Sequence, residues 1–313
     1  MDALFDNGLG ENYYRSRDKY FPQDKKGSTR FRNRAGDKLH QINEAVDIFS
    51  SLKSGFSFLD VCGGPGAFSQ ILLNLDVSPP SQGFGITLEV EDTEISDIWY
   101  KDLTLNKRFT VCKGKDGTGN VYIPENLADV RDQIAAQGKK IDIVVADGGF
   151  EIKKYDGKHM ENFQELFSGQ VILSELLLTM MVLEPGGHFV CKLFDTFSHL
   201  TSSLIYIATQ IFKQVFIVKP LRSRIVNSER YLIGKGFQKS DNFEFLVRVM
   251  TGLHRKCKET NERNKQSDWV IPESLVPIDI ISQDNLFMES LRKMNILISE
   301  KQTKALNLVM DNI

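Results

Sequence analysis

The chain has 313 residues, 39 Lys and Arg against 41 Asp and Glu, a formal net charge of −2 and 41% hydrophobic residues, which is the composition of a globular protein with one large core and an appendage and excludes a disordered or fibrous chain. A sequence pI near 6.3 excludes a globally basic nucleic-acid binder, so any charge-based recognition rests on local patches. Four cysteines, Cys62, Cys112, Cys191 and Cys257, stand far apart without a CxxC pair, which excludes a zinc ribbon and implies reduced thiols inside a cell.

The amino terminus, MDALFDNGLGENYYRSRDKY, has no apolar core behind a positive flank and does not read as a secretory signal. From Arg15 to Lys38 nine basic residues meet three acids, with Tyr13, Tyr14, Tyr20, Phe21 and Phe31 interleaved. Residues 1–30 therefore read as a basic arm able to hold phosphates and base faces, or as a solvated terminus. Leu39, Ile42, Ala45, Val46 and Phe49 have helical spacing and precede a short apolar run over 56–61 that ends in a glycine-rich turn. Buried strands are predicted over 83–88, 109–112, 141–146 and 188–193, separated by amphipathic helices over 127–136 and 163–183. Further strands over 214–218 and 231–236 read as an antiparallel edge pair. Alternation of this kind predicts an α/β fold with a doubly wound, mainly parallel sheet over 31–240. Residues 241–313 read as a helical extension, with helices over 243–254 and 284–310 around a polar linker, RKCKETNERNKQSD. The longest apolar stretch, 171–183, is broken by Ser174, Glu175 and Thr179 and is too short to cross a bilayer, so no membrane span is expected.

The first strand runs into Asp60-Val61-Cys62-Gly63-Gly64-Pro65-Gly66-Ala67-Phe68. Glycines let a backbone approach a ligand at the carboxyl end of a doubly wound sheet. The dinucleotide fingerprint would need a third glycine where Ser69 stands, and no G-K-S/T follows, so NAD, FAD and a P-loop are all disfavoured. The string D-x-C-x-G-P-G-x-F resembles the first motif of the FtsJ-like, S-adenosylmethionine-dependent RNA 2′-O-ribose methyltransferases, whose fold is Rossmann-like. The resemblance implies S-adenosylmethionine as cofactor, its methionine part on the turn formed by Cys62, Gly63, Gly64, Pro65, Gly66, Ala67 and Phe68. Asp60 would orient that loop or the methionine ammonium group, or else cap the following helix.

Enzymes of this group carry a K-D-K-E tetrad, and four such residues occur here in order: Lys38 in FRNRAGDKL, Asp147 in IVVADGGF, Lys192 in GGHFVCKLFD and Glu229 in IVNSERYLIG. A ribose 2′-hydroxyl is a poor nucleophile near neutral pH, so the protein must hold its oxygen about 3 Å from the methyl group and take or stabilise its proton. Lys192 is the residue assigned to the hydroxyl. Its pKa is expected to fall through desolvation, the neighbouring Lys38 ammonium and the cofactor's positive sulfur, with Asp147 opposing while it orients the amine. Glu229 would hold Lys38 or Lys192 by a charge-assisted hydrogen bond.

The similarity extends through FRNRAGDK, GFGITL, GKDGTGNVYIPEN, VVADGGF, GGHFVCKLFDTF and RSRIVNSERYLIGKG to the helical extension, and is greatest to the members of this family that modify eukaryotic mRNA caps. It implies that Asn33 and Asp147 also meet the cofactor and that Asn120 and Val121 meet its adenine. The loop here has fewer aspartates than the family's, so Asn120 would bind adenosine without charge and Asp116 is the acidic alternative. For RNA the resemblance implies Arg17 in the arm, Asn162, Phe163 and Gln164 after the ADGGF loop, and Asn227. A cationic methylated guanine would stack on Tyr13, Tyr14 or Phe163. The five histidines form no metal-spaced cluster, and no metal is expected. The implied partner is the 5′ end of capped mRNA, with an RNA polymerase or other capping enzymes beside it, in the nucleus of a cell or at a site of viral transcription. Two alternatives stay open: a ribosomal or transfer RNA 2′-O-methyltransferase of the FtsJ type, and a cofactor-binding subunit without activity. The larger animal enzymes carry flanking modules that this chain is expected to lack.

Overall fold

The computed structural model describes residues 6–22, 29, 31–89, 98–149, 163–263 and 272–313. Asn162 and the arm residues 1–5, 23–28 and 30 lie outside the described residues.

Strands β1 (Ser57–Val61), β2 (Gln82–Ile86), β3 (Phe109–Cys112), β4 (Ile141–Ala146), β5 (Leu183–Phe194), β6 (Phe212–Val218) and β7 (Glu229–Phe237) form a seven-stranded sheet in the order β3-β2-β1-β4-β5-β7-β6. The first five run parallel. β7 is reversed and lies between β5 and the edge strand β6, pairing antiparallel with both. From β1 the chain winds outward to β2 and β3, then returns to place β4 on the other side. That reversal opens a crevice at the carboxyl ends of β1 and β4, where doubly wound folds bind ligands.

Both faces of the sheet are covered, which is why β1 is buried at every position and its sequence shows no polar alternation. Helices α1 (Gly10–Tyr20), α2 (Arg34–Val46), α3 (Ala67–Leu73), α4 (Lys101–Thr104), α5 (Pro124–Ala136), α6 (Gln164–Val182), α7 (His199–Ile211), α8 (Phe243–Arg263), α9 (Ile278–Gln283) and α10 (Asn285–Met310) complete the described fold. α2, α3 and α4 pack through Leu39, Ile42, Phe68, Leu72 and Leu103 on the face that carries Phe58, Val145, Val190 and Tyr231. α5 to α8 pack on the opposite face, against Leu59, Val144, Phe189, Cys191 and Leu232.

Several elements differ from the sequence expectation. α6 is not one of them: it lies within the 163–183 expected for it, though by length and composition alone it could span a bilayer. Residues 168–180 are nonetheless all buried in the protein, so it is a core helix. α8 runs through Arg263, nine residues into the segment read as a linker. The reason is spacing: Lys258 pairs with Glu262 and Arg263 with Glu259, both at i,i+4, which supports a helix that apolar periodicity does not announce. α7 was not expected; Ser198 caps it, accepting from Thr201 N, ahead of Leu200, Leu204, Ile207, Ala208 and Ile211 on the buried side. The start of the basic arm is also a helix, α1, whose Tyr13 is buried against Val226, Ala305 and Val309. Ser16 Oγ donates to Val309 O at 2.8 Å, so arm and extension pack together.

His188 on β5 is neutral in this fold. Gly236 N donates to its Nδ1 at 3.3 Å and its Nε2 lies 2.7 Å from Ser51 Oγ, whose own proton goes to Ile48 O. Burial first, then Lys235, lowers its pKa to about 4. The unfolded chain takes up this proton near 6.5 and the folded one only near 4, so the stability involved is present above that window and is lost as pH falls through it. Urea unfolding of the wild-type chain should lose about 1 to 2 kcal/mol more than His188→Gln over that interval; equal losses would contradict the assignment.

Candidate active site

The register of the sheet assembles the site. Val61 of β1 faces Ala146 of β4, Ala146 faces Cys191 of β5, and Lys192 faces Tyr231 of β7. Asp147, the residue after β4, therefore comes to lie beside Lys192, and the reversed β7 delivers Glu229 and Tyr231 from its amino end. Side chains alternate along a strand, so Lys192, Glu229 and Tyr231 share the face covered by α2. Asn33 caps α2 by accepting from Ala35 N at 2.8 Å, and Lys38 lies one turn in, just before the buried Leu39.

All four tetrad residues meet. Lys38 Nζ is 2.8 Å from Glu229 Oε1 and 2.9 Å from Oε2. Lys192 Nζ donates to the main-chain oxygen of Asp147 at 2.9 Å and lies 3.4 Å from Oδ1 of the same residue. Lys192 is only 9% exposed and Glu229 8%, so these are nearly desolvated ion pairs. Tyr231, which the sequence reading passed over, joins them: its hydroxyl donates to Asp147 Oδ1 at 2.7 Å, and Lys38 Nζ lies 5.9 Å from its ring centroid. Its position two residues after Glu229 in a strand was a usable signal, since that spacing puts both on one face.

One expectation is corrected. Burial works to lower the Lys192 pKa, but Asp147, Glu229 and Glu175 outweigh it and hold the ammonium above its ordinary value. Burial likewise works to raise Asp147, and Lys192, Lys38 and the Tyr231 hydroxyl overcome it, keeping the carboxylate charged. Among the protein's own groups the pair is therefore an ammonium and a carboxylate.

Under the glycine turn, Asp60 is wholly buried; its Oδ2 accepts from Ser69 N at 3.1 Å and Ser69 Oγ at 2.6 Å. It thus holds the first turn of α3 and orients the loop. Burial raises its pKa to about 7, the Ser69 bonds notwithstanding. Its Oδ1 has no hydrogen-bond partner among the described residues. A Cβ on Gly63 would come within 2.3 Å of this carboxyl group, and Gly66 has φ +104°, so both glycines are needed for the turn to fold onto Asp60. Cys62 is itself left-handed at φ 53°, and its thiol is pushed up by burial and by Glu175. Ala67 and Phe68 are buried, with the Phe68 ring 6.4 Å from Tyr231, which couples this turn to the tetrad.

Glu175 on α6 was not expected. Gly148 N donates to its Oε1 at 3.1 Å and Cys191 Sγ to its Oε2 at 3.2 Å, so it braces the loop that carries Asp147. Burial raises it to about 8. An acid in the middle of an apolar run was its signal in the sequence.

Asp116 accepts from Thr118 N, Thr118 Oγ1 and Asn126 Nδ2, bonds that lower its pKa against the effect of burial and shape the loop after β3. Asn120 Oδ1 accepts from Tyr122 N at 2.9 Å, and Val121 is buried. Glu89, just past β2 and paired with Lys113 at 2.6 Å, stands where doubly wound folds place a ribose-binding carboxylate, and the sequence reading missed it. Asn33 Nδ2 donates to Tyr100 OH at 2.9 Å.

The expected RNA residues divide. Gln164 and the N-S-E-R segment meet, Ser228 Oγ donating to Gln164 Oε1 at 3.4 Å, and Phe163 beside them is exposed. Lys219, also missed, donates to Asn227 O at 2.6 Å and Glu229 O at 2.8 Å, fixing the entry to β7. Arg17 is buried, its guanidinium on Asp18 and over the Tyr14 ring. Tyr13, one of the rings considered for stacking, is in the core because it packs against α10.

A three-layer sheet with a glycine turn at its switch point and paired lysines and carboxylates at adjacent strand ends defines a group-transfer enzyme of the Rossmann-like type. Comparison with known proteins makes this specific. Residues 31–237 match the FtsJ-like methyltransferase profile, and the chain belongs to that family of methyltransferases. It is 35% identical over 327 aligned positions to the cap-specific mRNA (nucleoside-2'-O-)-methyltransferase 1 of Trypanosoma brucei brucei, with 99% of this chain and 82% of the relative covered. The protein of the same name from Trypanosoma cruzi is 36% identical, with 97% of this chain and 82% of the relative covered. The human one is 30% identical over 97% of this chain, which spans 37% of its length.

Removing the buried Tyr231 hydroxyl takes a donor from a charged acceptor, a change of about 1.5 to 3 kcal/mol. Tyr231→Phe should slow single-turnover methyl transfer by about 10-fold to 100-fold with the fold intact by circular dichroism; a rate within twofold of wild type would refute its place in the site.

Proposed function

We propose that the chain transfers a methyl group from S-adenosylmethionine to the 2′-hydroxyl of the first transcribed nucleotide of capped RNA. The observation that carries this reading is the pairing of Lys192 with Asp147 and of Lys38 with Glu229 on one sheet face, next to the glycine turn.

The chain's residues fit the cofactor. The turn from Cys62 to Phe68 would receive the methionine part, and the orphaned Oδ1 of Asp60 beneath it makes that spot electrostatically suited to a cation. Asn120, Val121 and Asp116 would flank the adenosine, with Asn33 and Asp147 at the edges of the same crevice. The cofactor supplies an electrophilic methyl group on a positively charged sulfur. Lys192 would hold the ribose oxygen and accept its proton as the neutral amine; since it is an ammonium among the protein's own charges, it must first release a proton to solvent, which a further positive charge in the site favours. Asp147 fixes the amine, Tyr231 fixes Asp147, and Glu229 keeps Lys38 beside them.

Support for a cap rather than structured RNA comes from the extent of similarity. The family profile stops at residue 237, whereas the likeness to the trypanosomal relatives takes in 97% or more of the chain, arm and extension included. Phe163, Gln164 and Asn227 would line the RNA path, together with Asn162 next in sequence, and basic residues of the arm other than the buried Arg17 would add phosphate contacts. Phe163, exposed at 45%, is the ring best placed to stack on a cationic guanine. This reading puts the protein where transcripts are capped, with a polymerase or other capping enzymes as neighbours.

Methyl transfer from labelled cofactor to three matched RNAs, with a 7-methylguanosine cap, an unmethylated guanosine cap and no cap, tests the reading, with Lys192→Ala as control. Label confined to capped RNA, on the first nucleotide's ribose, and a loss of at least 1000-fold (on the order of 4 kcal/mol) in the variant is expected. Equal labelling of uncapped RNA would overturn the cap assignment.

A further inference from the structure

The helical extension touches the site from behind at two places, through a fully buried polar side chain on one helix and a half-buried one on the other. On α8, His254 is fully buried, and its Nε2 lies 2.9 Å from the main-chain oxygen of Val121 and 3.0 Å from Ser174 Oγ. Ser174 gives its own proton to Gln170 O at 2.8 Å, so the imidazole must be the donor, with Val121 O as its main acceptor. The other ring nitrogen, Nδ1, has no partner among the described residues, which fixes the neutral tautomer with its proton on Nε2. Val121 belongs to the loop proposed above to receive the adenosine, and that loop is anchored at its other end by Asn126 and Asp116. His254 is the tie from the extension to its far end.

On α10, Asn295 is clamped in the turn after β5. Its Nδ2 donates to Thr196 O at 3.0 Å, and its Oδ1 accepts from Thr196 Oγ1 at 2.5 Å and from Arg230 at 3.1 Å. The Arg230 side chain is completely buried and also donates to Asp195 Oδ1 at 2.7 Å and Ser228 O at 3.0 Å. Arg230 lies between Glu229 and Tyr231 in β7. By alternation it points to the face opposite theirs, so what Asn295 and Arg230 hold on one side is the backbone that presents Glu229 to Lys38 and Tyr231 to Asp147 on the other. Farther along α10, Gln302 Nε2 donates to Val226 O at 3.3 Å, just before the same strand entry.

We propose that His254 and Asn295 are positioning residues for the methyl-transfer site: His254 sets the adenosine loop through Val121 O, and Asn295 sets the β7 entry through Thr196 and Arg230. The extension is then a divided support, one helix for cofactor affinity and one for the rate of transfer. This inference rests on the function proposed above.

The division is testable in the full chain by measuring equilibrium binding of S-adenosylmethionine and single-turnover methyl transfer to capped RNA at saturating cofactor. His254→Leu should weaken cofactor binding at least tenfold while the saturated rate stays within threefold. His254→Gln, whose amide nitrogen can reach Val121 O, should restore most of the affinity. Asn295→Ala should leave the cofactor Kd within twofold and slow transfer at least tenfold. If Asn295→Ala does not fold, Asn295→Asp, which keeps the acceptor for Arg230 and loses the bond to Thr196 O, is read in its place with the same expected direction. Parallel changes in both parameters for both variants would mean general destabilisation and overturn the proposal, as would wild-type values for both. If the wild-type chain binds cofactor but methylates no RNA, the function reading fails separately. The two ties are then read from cofactor Kd for His254→Leu and from amide hydrogen exchange over residues 228–231 for Asn295→Ala, where at least tenfold faster exchange supports the clamp and unchanged exchange refutes it.

Discussion

A lysine ammonium can enter the interior of a sheet only if carboxylates are already fixed where it will lie, and the rest of this structure follows from that requirement at Lys192. Removing one partner of a buried pair typically costs about 3 to 5 kcal/mol, because the other charge is left desolvated. Asp147 must therefore be held as firmly as Lys192, and it is, by the Tyr231 hydroxyl. The loop after Asp147 is braced in turn by Glu175. Glu229, within electrostatic reach of Lys192, is neutralised by Lys38 from α2. Each charge in the site is positioned by another, and the sheet register brings the strand ends close enough for that to happen.

The two faces of the sheet divide the work. The face toward α2 and α3 carries the residues of the proposed chemistry: Lys192, Glu229, Tyr231 and the buried Asp60. The opposite face carries the supports, with Cys191 on Glu175 and Arg230 on Asp195. β7 is where the two meet, since successive residues Glu229, Arg230 and Tyr231 serve alternate faces. Its antiparallel direction matters here, because only a reversed strand brings its first residues to the end of the sheet where the parallel strands finish.

Much of this was legible in the sequence. The strand runs and the glycine turn marked the α/β core, and the tetrad residues stood at strand ends or on the preceding helix, where the structure brings them together. What was not legible depended on contacts far apart in the chain. The Lys192 pKa was expected to fall because desolvation, Lys38 and the cofactor's sulfur were set against Asp147 alone, whereas the summed effect of Asp147, Glu229 and Glu175 needs the register of three strands and a helix. α1 was read as a polar arm because only Tyr13 and its neighbours face α10, almost 300 residues later. Charged i,i+4 pairs hid the last turns of α8 inside an apparent linker, and α7, rich in Thr and Ile, lacked the composition of a good helix former.

We propose that Lys192 takes the proton of the reacting hydroxyl and that Asp147 tunes it. The most direct measurement is the pH dependence of single-turnover methyl transfer with saturating cofactor, for the wild-type chain and for Asp147→Asn. The rate should climb about tenfold per pH unit to a plateau, with the inflection moved to lower pH in the slower Asp147→Asn variant, because the carboxylate that raises Lys192 has been removed. A wild-type rate that is flat across the same range, or an inflection that does not move in the variant, would contradict it.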